Sequence, residues 1–321
     1  MSARAWAAFV GVSMLWGLPY LLIKVAVDDE LSPVFVTWVR VVLGAAVLIG
    51  LAWRAGLLGT LRGRVRWLLV LALMEISIPF TMIAVGEQHI SSSLAAIVIA
   101  AAPLFVVPLS VRFDKSERAD GRRLAGLLLG LGGVIALVGI DVAGSVEELL
   151  GAAAVLVAAF CYAVGPMVFK RKLADLDPRA SMGGSLAIAA LLRTPAVAID
   201  PPHRAPSPDA TGALVGLGFF CTALALVLYG LLIREAGAGR ALVITYINPL
   251  VALALGIALL GERPGFGAAA GLPLILVGSW LATRSHRRGR PHASIAGRRS
   301  VTRRARTNAE LLLPLGGPAS P

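Results

Sequence analysis

Apolar residues in this chain follow neither the 3.6-residue period of an amphipathic helix nor the two-residue period of a half-buried strand. They form ten runs of 17 to 23 residues, at 5–27, 33–53, 67–86, 90–111, 124–140, 149–169, 180–199, 212–233, 241–260 and 266–283, with short polar links between most of them. A helix rising 1.5 Å per residue crosses a ~30 Å hydrocarbon core in about 20 residues, with every backbone group bonded internally. Barrel strands would be about half as long. The pattern predicts an all-α integral membrane protein with ten transmembrane helices.

Composition agrees: 57% of the 321 residues are hydrophobic and 15% charged, against about a quarter charged in a soluble domain. The first run begins at the fifth residue and lacks a small-residue cleavage pattern before Asp28-Asp29-Glu30, so it reads as a retained helix rather than a signal peptide. Cys161 and Cys221 both fall inside runs, which predicts neither a disulfide framework nor a cysteine-rich metal site.

Lys and Arg in short loops set orientation. Of the 30, 25 fall in one alternate set of connections and the ends, only Arg204 and Arg263 fall in the other set, and Lys24, Arg40 and Arg193 lie within runs. Both termini are expected in the cytoplasm and the protein in the plasma membrane. The opposite links carry Asp28, Asp29, Glu30, Glu87, Asp141 and Glu262 among their acids, as an external face would.

An internal repeat is also present. At an offset of 146, Trp16 falls on Tyr162, Lys24 on Lys170 and Pro103-Leu104 on Pro249-Leu250; at 145, Glu117-Arg118 falls on Glu262-Arg263 and Ala125-Gly126-Leu127 on Ala270-Gly271-Leu272. Five spans per half is an odd number, so the second half enters the bilayer upside down. The expected architecture is a 5+5 inverted repeat, with residues 1–141 and 142–284 as the two halves and 285–321 as a disordered basic tail.

Leu15-Trp16-Gly17 followed by Lys24, and Asn248-Pro249-Leu250-Val251-Ala252 leading through Gly256 to Gly261-Glu262, resemble the EamA-type transporters of the drug/metabolite transporter superfamily. The likeness extends over both halves, roughly residues 5 to 284, although Lys115-Ser116-Glu117 stands where the first half would carry Gly-Glu. The resemblance implies ten helices around a central cavity, both ends cytoplasmic, and export of amino acids, nucleosides, other small metabolites or drugs.

Four charges lie inside the runs: Lys24, Arg40, Glu75 and Arg193. Each is costly in lipid and so marks a pairing or a function. Helical rise places them roughly 5, 11, 17 and 9 Å from the outer end. Glu75 reads either as the partner of Arg40 in a structural ion pair or as a carboxyl that takes up and releases a proton. Arg40 and Arg193 could attract an anionic group on the substrate. Ser13, Trp16, Tyr20 and Lys24 share a face of the first helix at three- and four-residue spacing. Trp16, Tyr20 and the repeat mate Tyr162 are cavity candidates, whereas Lys24 is expected to snorkel outward and pair with Asp28.

Pro103 and Pro249 are expected to bend the fourth and ninth helices symmetrically and so mark gates. Tyr246 and Asn248, beside the second bend, are candidates for bonding a freed carbonyl or the substrate. Gly126-xxx-Gly130 and Gly267-xxx-Gly271 predict close helix packing within the bundle, with a homodimer contact as the alternative. The nine arginines from Arg284 onward suit anionic lipid headgroups, nucleic acid being the runner-up partner.

His89 and Ser91 to Ser93 raise a hydrolase, but no Gly-x-Ser-x-Gly, His-Glu-x-x-His, Cys-x-x-Cys or Gly-Lys dipeptide is present. The expectation is a non-enzymatic secondary transporter, without cofactor or metal, that moves a small molecule by alternating access. The rivals are a passive facilitator or channel of the same fold and a membrane enzyme.

Overall fold

The computed structural model describes residues 1–113, 121–142, 144–236 and 243–283. Glu117-Arg118, one of the dipeptides that align the halves, and the basic tail at 285–321 lie outside the described residues. Those described are helical, with no strand among them.

Polar residues at the ends of the apolar runs start the helices. α1 (Ala3–Asp28) opens on Ser2, whose side chain accepts from the Ala5 amide; α2 (Pro33–Arg54) opens on Ser32 with proline in its first turn. α3 occupies Val65–Glu87. α4 (Ser92–Ile99), α5 (Ala102–Phe113) and α6 (Gly121–Asp141) complete the first half. α7 (Val146–Lys172) starts at Ser145 with Glu147 and Glu148 in its first turn and ends on Lys170, Arg171 and Lys172, acid and base matching the helix dipole. α8 (Pro178–Ile199) is capped by Asp177 and α9 (Pro208–Ala236) by Ser207, and α10 (Ile244–Leu260) and α11 (Phe266–Thr283) follow.

Seven of these helices are long and apolar enough to cross a membrane, and the fourth, ninth and tenth sequence runs fall on shorter apolar helices. The run at 90–111 is not one continuous helix. It breaks at Ala100–Ala101, so Pro103 sits in the first turn of α5, where its missing N–H costs nothing. Pro249 lies inside α10, which is unbroken around it.

Packing joins the two halves throughout. α6 lies along α11, α2 along α8, α3 along α7, and α1 against both α9 and α10. The glycine motifs serve these crossings. A Cβ on Gly271 would approach the Gly133 carbonyl to 2.7 Å, and one on Gly133 would approach the Leu274 Cβ to 2.8 Å.

Candidate functional site

α3 and α9 each contain a stretch of π-helix, at Ala72–Ser77 and Gly216–Leu224. A π-turn leaves backbone carbonyls without their usual i+4 donor, so other groups must satisfy them in lipid. In α9 the Thr222 hydroxyl donates to the Leu217 carbonyl at 2.8 Å and accepts from Nε of Arg40 at 3.0 Å. In α3 the Arg193 guanidinium donates to the Ser77 carbonyl, to Ser77 Oγ at 2.7 Å and to Thr81 Oγ1 at 2.7 Å. Each buried arginine therefore crosses from one half to the π-turn of the other.

Arg193 is thereby committed to the backbone and hydroxyls of α3, and the expectation that it attracts a substrate anion gives way to a structural role. Arg40 is less fully engaged. Its guanidinium lies 3.8 Å from the centre of the Phe80 ring, and its terminal nitrogens make no hydrogen bond among the described residues. The ion pair expected between Arg40 and Glu75 is not among the described ones, because Thr222 and Phe80 hold Arg40 instead.

Glu75 sits in the π-turn of α3, half-buried, with Oε2 fully covered and without a hydrogen-bond partner. Its carboxyl rests against Gly165 of α7, where any Cβ would collide with it. Glycine at 165 therefore makes room for the acid. Cys161, Tyr162 and Tyr229 lie within electrostatic range of Glu75, and Tyr162 is likewise in range of Arg40. Tyr20, buried on α1, is in range of both Tyr162 and Arg40. In contact terms, Tyr20 and Tyr162 belong to one apolar cluster, Glu75 touches α7 at Gly165, and Arg40 lies over Phe80 of α3, so the four predicted residues sit on helices that pack together.

Trp16 stands apart from that group. It stacks on Tyr229 of α9, ring centres 4.7 Å apart and tilted by 47°, in a cluster with Val12, Leu232 and Ile244. Tyr229 is thus the second-half partner of Trp16. Sequence reasoning passed over it, since an aromatic near the end of an apolar run carries no distinguishing signal. Tyr246 and Asn248 are half-buried on α10, which packs on α1 where Gly17 meets Val251 and the Asn248 carbonyl. The Asn248 Oδ1 is buried without a partner.

At the end of the bundle that carries Asp29, Asp141 and Glu262, carboxylates cap helices across the structure. Asp141 accepts from the amides of Gly267 at 2.8 Å and Ala268 at 2.6 Å, at the start of α11. Asp29 accepts from the Ser207 amide at 3.0 Å, at the cap of α9. Lys24 pairs with Asp28 at 2.9 Å, as its snorkelling position predicts. Ser91 caps α4, while the amides of Ser92 and Ser93 and the Ser93 hydroxyl donate to Glu262. His89 is exposed.

The Glu262 clamp explains its own motif. Gly261 adopts φ 65°, and the amides of Gly261 and Glu262 both return to the Gly256 carbonyl, closing α10. A Cβ on Gly256 would strike the Glu262 carboxylate and Ser93 Oγ. Burial works against the charged form of Glu262, yet the hydrogen bonds from Ser93 and Ser92 outweigh it and hold the carboxyl below the usual glutamate range. Its stabilising contribution is therefore complete above about pH 4.3 and is lost as the pH falls through the lower folded-state value. Glu262→Gln should cost about 1 kcal/mol at pH 7, and the gap to the parent should close on acidification in a thermal-melt series from pH 7 to 3. A gap that stayed constant with pH would assign the loss to packing.

Three comparisons bear on this geometry. The model of the EamA-like transporter family matches the chain twice, at residues 4–139 and 149–284. An inner membrane transporter of Escherichia coli, YedA, is 28% identical over 79% of this chain and 82% of its own length. A probable terminal-alkyne amino-acid exporter of Streptantibioticus cattleyicolor is 28% identical over 93% of this chain and 99% of its own. A solved crystal structure, 22% identical, superposes with a TM-score of 0.62 over 88% of this chain and 98% of that one, and so shares the fold.

Proposed function

The chain belongs to the EamA-like transporter family, and from that premise we propose that it is a proton-coupled secondary transporter that exports a small amphipathic metabolite, an amino acid or related compound, or a drug, by alternating access. It is a multi-pass membrane protein of a transporter family, and the names of its relatives indicate transport rather than catalysis. The observation that carries the finer reading is the mid-depth group of Tyr20, Arg40, Glu75 and Tyr162, drawn from four helices. Glu75 is its proton site. The terminal nitrogens of Arg40 receive the substrate's carboxylate or other anionic group, and the aromatic rings cover its apolar part.

Two features support a 5+5 inverted repeat around this group. The family model matches each half separately, and the helix pairs are those a two-fold axis in the membrane plane would generate: α2 with α8 and α6 with α11 across the axis, α3 with α7 exchanging with α9 with α1. Trp16 and Tyr229 line the inner approach, and Tyr246 and Asn248 its wall on α10. Pro103 and Pro249 stand where α5 and α10 pivot. Both termini lie in the cytoplasm, and direction is outward, as the name of the Streptantibioticus relative suggests.

Counterflow tests the carrier reading. In liposomes preloaded with a neutral amino-acid mixture, entry of labelled amino acid should be accelerated and should overshoot equilibrium. Flux indifferent to the trans load would mark a passive facilitator in the same fold.

A further inference from the structure

The outer end of α3 holds a second acid that the group above does not use. Glu87 is 0% exposed, and neither carboxyl oxygen has a hydrogen-bond partner. Five residues on, Ser92 is also 0% exposed, with its hydroxyl unpartnered although its amide is bonded to Glu262. Polar oxygens so placed, at the end of a bundle rather than in mid-lipid, are expensive to bury without partners, and the Ser92 hydroxyl carries no charge with which to offset a carboxylate.

Every element packed around Glu87 contributes to its setting. From α1 come Lys24, Asp28 and Tyr20; from α2, Arg40; from the link between α10 and α11, Glu262. α7 crosses at Gly151 and Val155, which do not titrate, with Glu147 and Glu148 at its start. His89, on the link that follows Glu87, is exposed. The one nearby ammonium is already committed, since Lys24 pairs with Asp28 at 2.9 Å and donates to the backbone carbonyl of Glu87 at 3.0 Å, not to its carboxylate. Among the described residues no side chain donates to the Glu87 carboxyl: the Ser92 hydroxyl is unpartnered, and the Arg40 guanidinium is held by Thr222 and the Phe80 ring. Its carboxyl is therefore accommodated here as the neutral acid and would ionise once water reached it.

We propose that Glu87 is a proton-binding site of the outer gate, taking a proton from the external medium as the outer end closes over it and returning that proton when the end opens. The step forms one O–H bond at a carboxyl oxygen and breaks one O–H bond of a hydronium ion in the external medium, leaving water; on opening, the carboxyl O–H breaks and water takes the proton back as hydronium. It rests on the alternating-access reading above and adds to it a sensor of external acidity, separate from Glu75. Raising the external proton concentration favours the closed outer end.

Infrared difference spectroscopy during pH titration reads this without transport. The full chain in phosphatidylcholine and phosphatidylglycerol liposomes should give, beside the contribution of Glu75, a protonated-carboxyl C=O band from Glu87 worth one group per chain. That band should be lost in Glu87→Gln, shifted but present in Glu87→Asp, and retained in Glu75→Gln. Spectra of parent and Glu87→Gln that superimpose at every pH would overturn the proposal, as would a band that moves with sodium at fixed pH. The same liposomes report counterflow. Its absence beside an intact Glu87 band would sink the transporter reading alone, whereas counterflow without the band would sink only this site.

Discussion

Glu75→Gln should abolish proton-driven transport while leaving exchange of substrate for substrate in place. The amide keeps the length and shape of the acid, so the contact with Gly165 of α7 and the π-turn at Ala72–Ser77 are preserved. What is lost is the ability to alternate between a neutral and a charged form. A charge at this depth costs several kcal/mol unless it is paired, and the covered Oε2 has no partner in this arrangement. Binding and release of the proton therefore change the energy of the closed group by several kcal/mol, a large part of the about 5.5 kcal/mol that carries a two-state equilibrium from one side to the other. Accumulation driven by a pH gradient should fall at least tenfold, to the level of empty liposomes, with counterflow retained. Unchanged gradient-driven uptake would move the coupling site elsewhere, and Glu87 would be the first residue to examine.

The parts of this architecture that a sequence can express are those enforced residue by residue. Lipid demands unbroken apolar runs, so most of the helices could be placed, and their starts follow from Ser2, Ser32, Ser145, Asp177 and Ser207 immediately ahead of them. The pairing of Lys24 with Asp28 is local, four residues apart, and was equally readable. The partners of Arg40 and Arg193 were not, because Thr222 and Ser77 lie more than 100 residues away and are reached only through the crossings of α2 with α9 and of α8 with α3. The π-turns escaped for a different reason. One extra residue in a helical turn alters no composition and breaks no apolar run. Yet these turns decide what the arginines do.

Glu87 shows the same limit at the boundary of a run. It is the first polar residue after 67–86, which made it look like one more acid of an external link. Whether such a residue is solvated depends on what folds over it, here α1 and the Glu262 clamp on α4. The clamps at Glu262, Asp141 and Asp29 share a physical logic: each carboxylate accepts from amides at a helix start, a contact strengthened by charge and by the helix dipole. Each also joins segments distant in sequence, so opening the outer end must break or carry these contacts. That gives the closed state a cost of opening, in which protonation of Glu87 would share directly under the proposal made for it.

The largest loss of folded protein should come from Gly278→Val. α6 and α11 meet along glycines, and at the closest point a Cβ on Gly278 would lie 2.6 Å from the Gly130 Cα and 2.7 Å from the Gly126 carbonyl. These are backbone atoms, which cannot rotate aside as a side chain could, so the helices must separate to admit the new group. Lipid supplies no hydrophobic drive between helices, and their association depends on this close packing. Overpacking a core costs about 1–3 kcal/mol where side chains can adjust, and the rigid contact here should exceed that. Gly132→Val, on the facing helix α6 but with nothing within 4 Å of its Cβ position, supplies the internal control. In detergent, Gly278→Val should shift from a monodisperse peak to aggregate on size-exclusion chromatography and melt several degrees lower, while Gly132→Val elutes and melts like the parent. Equal behaviour of the two variants would mean that α6 and α11 do not meet through these glycines, and the pairing across the halves would lose its tightest joint.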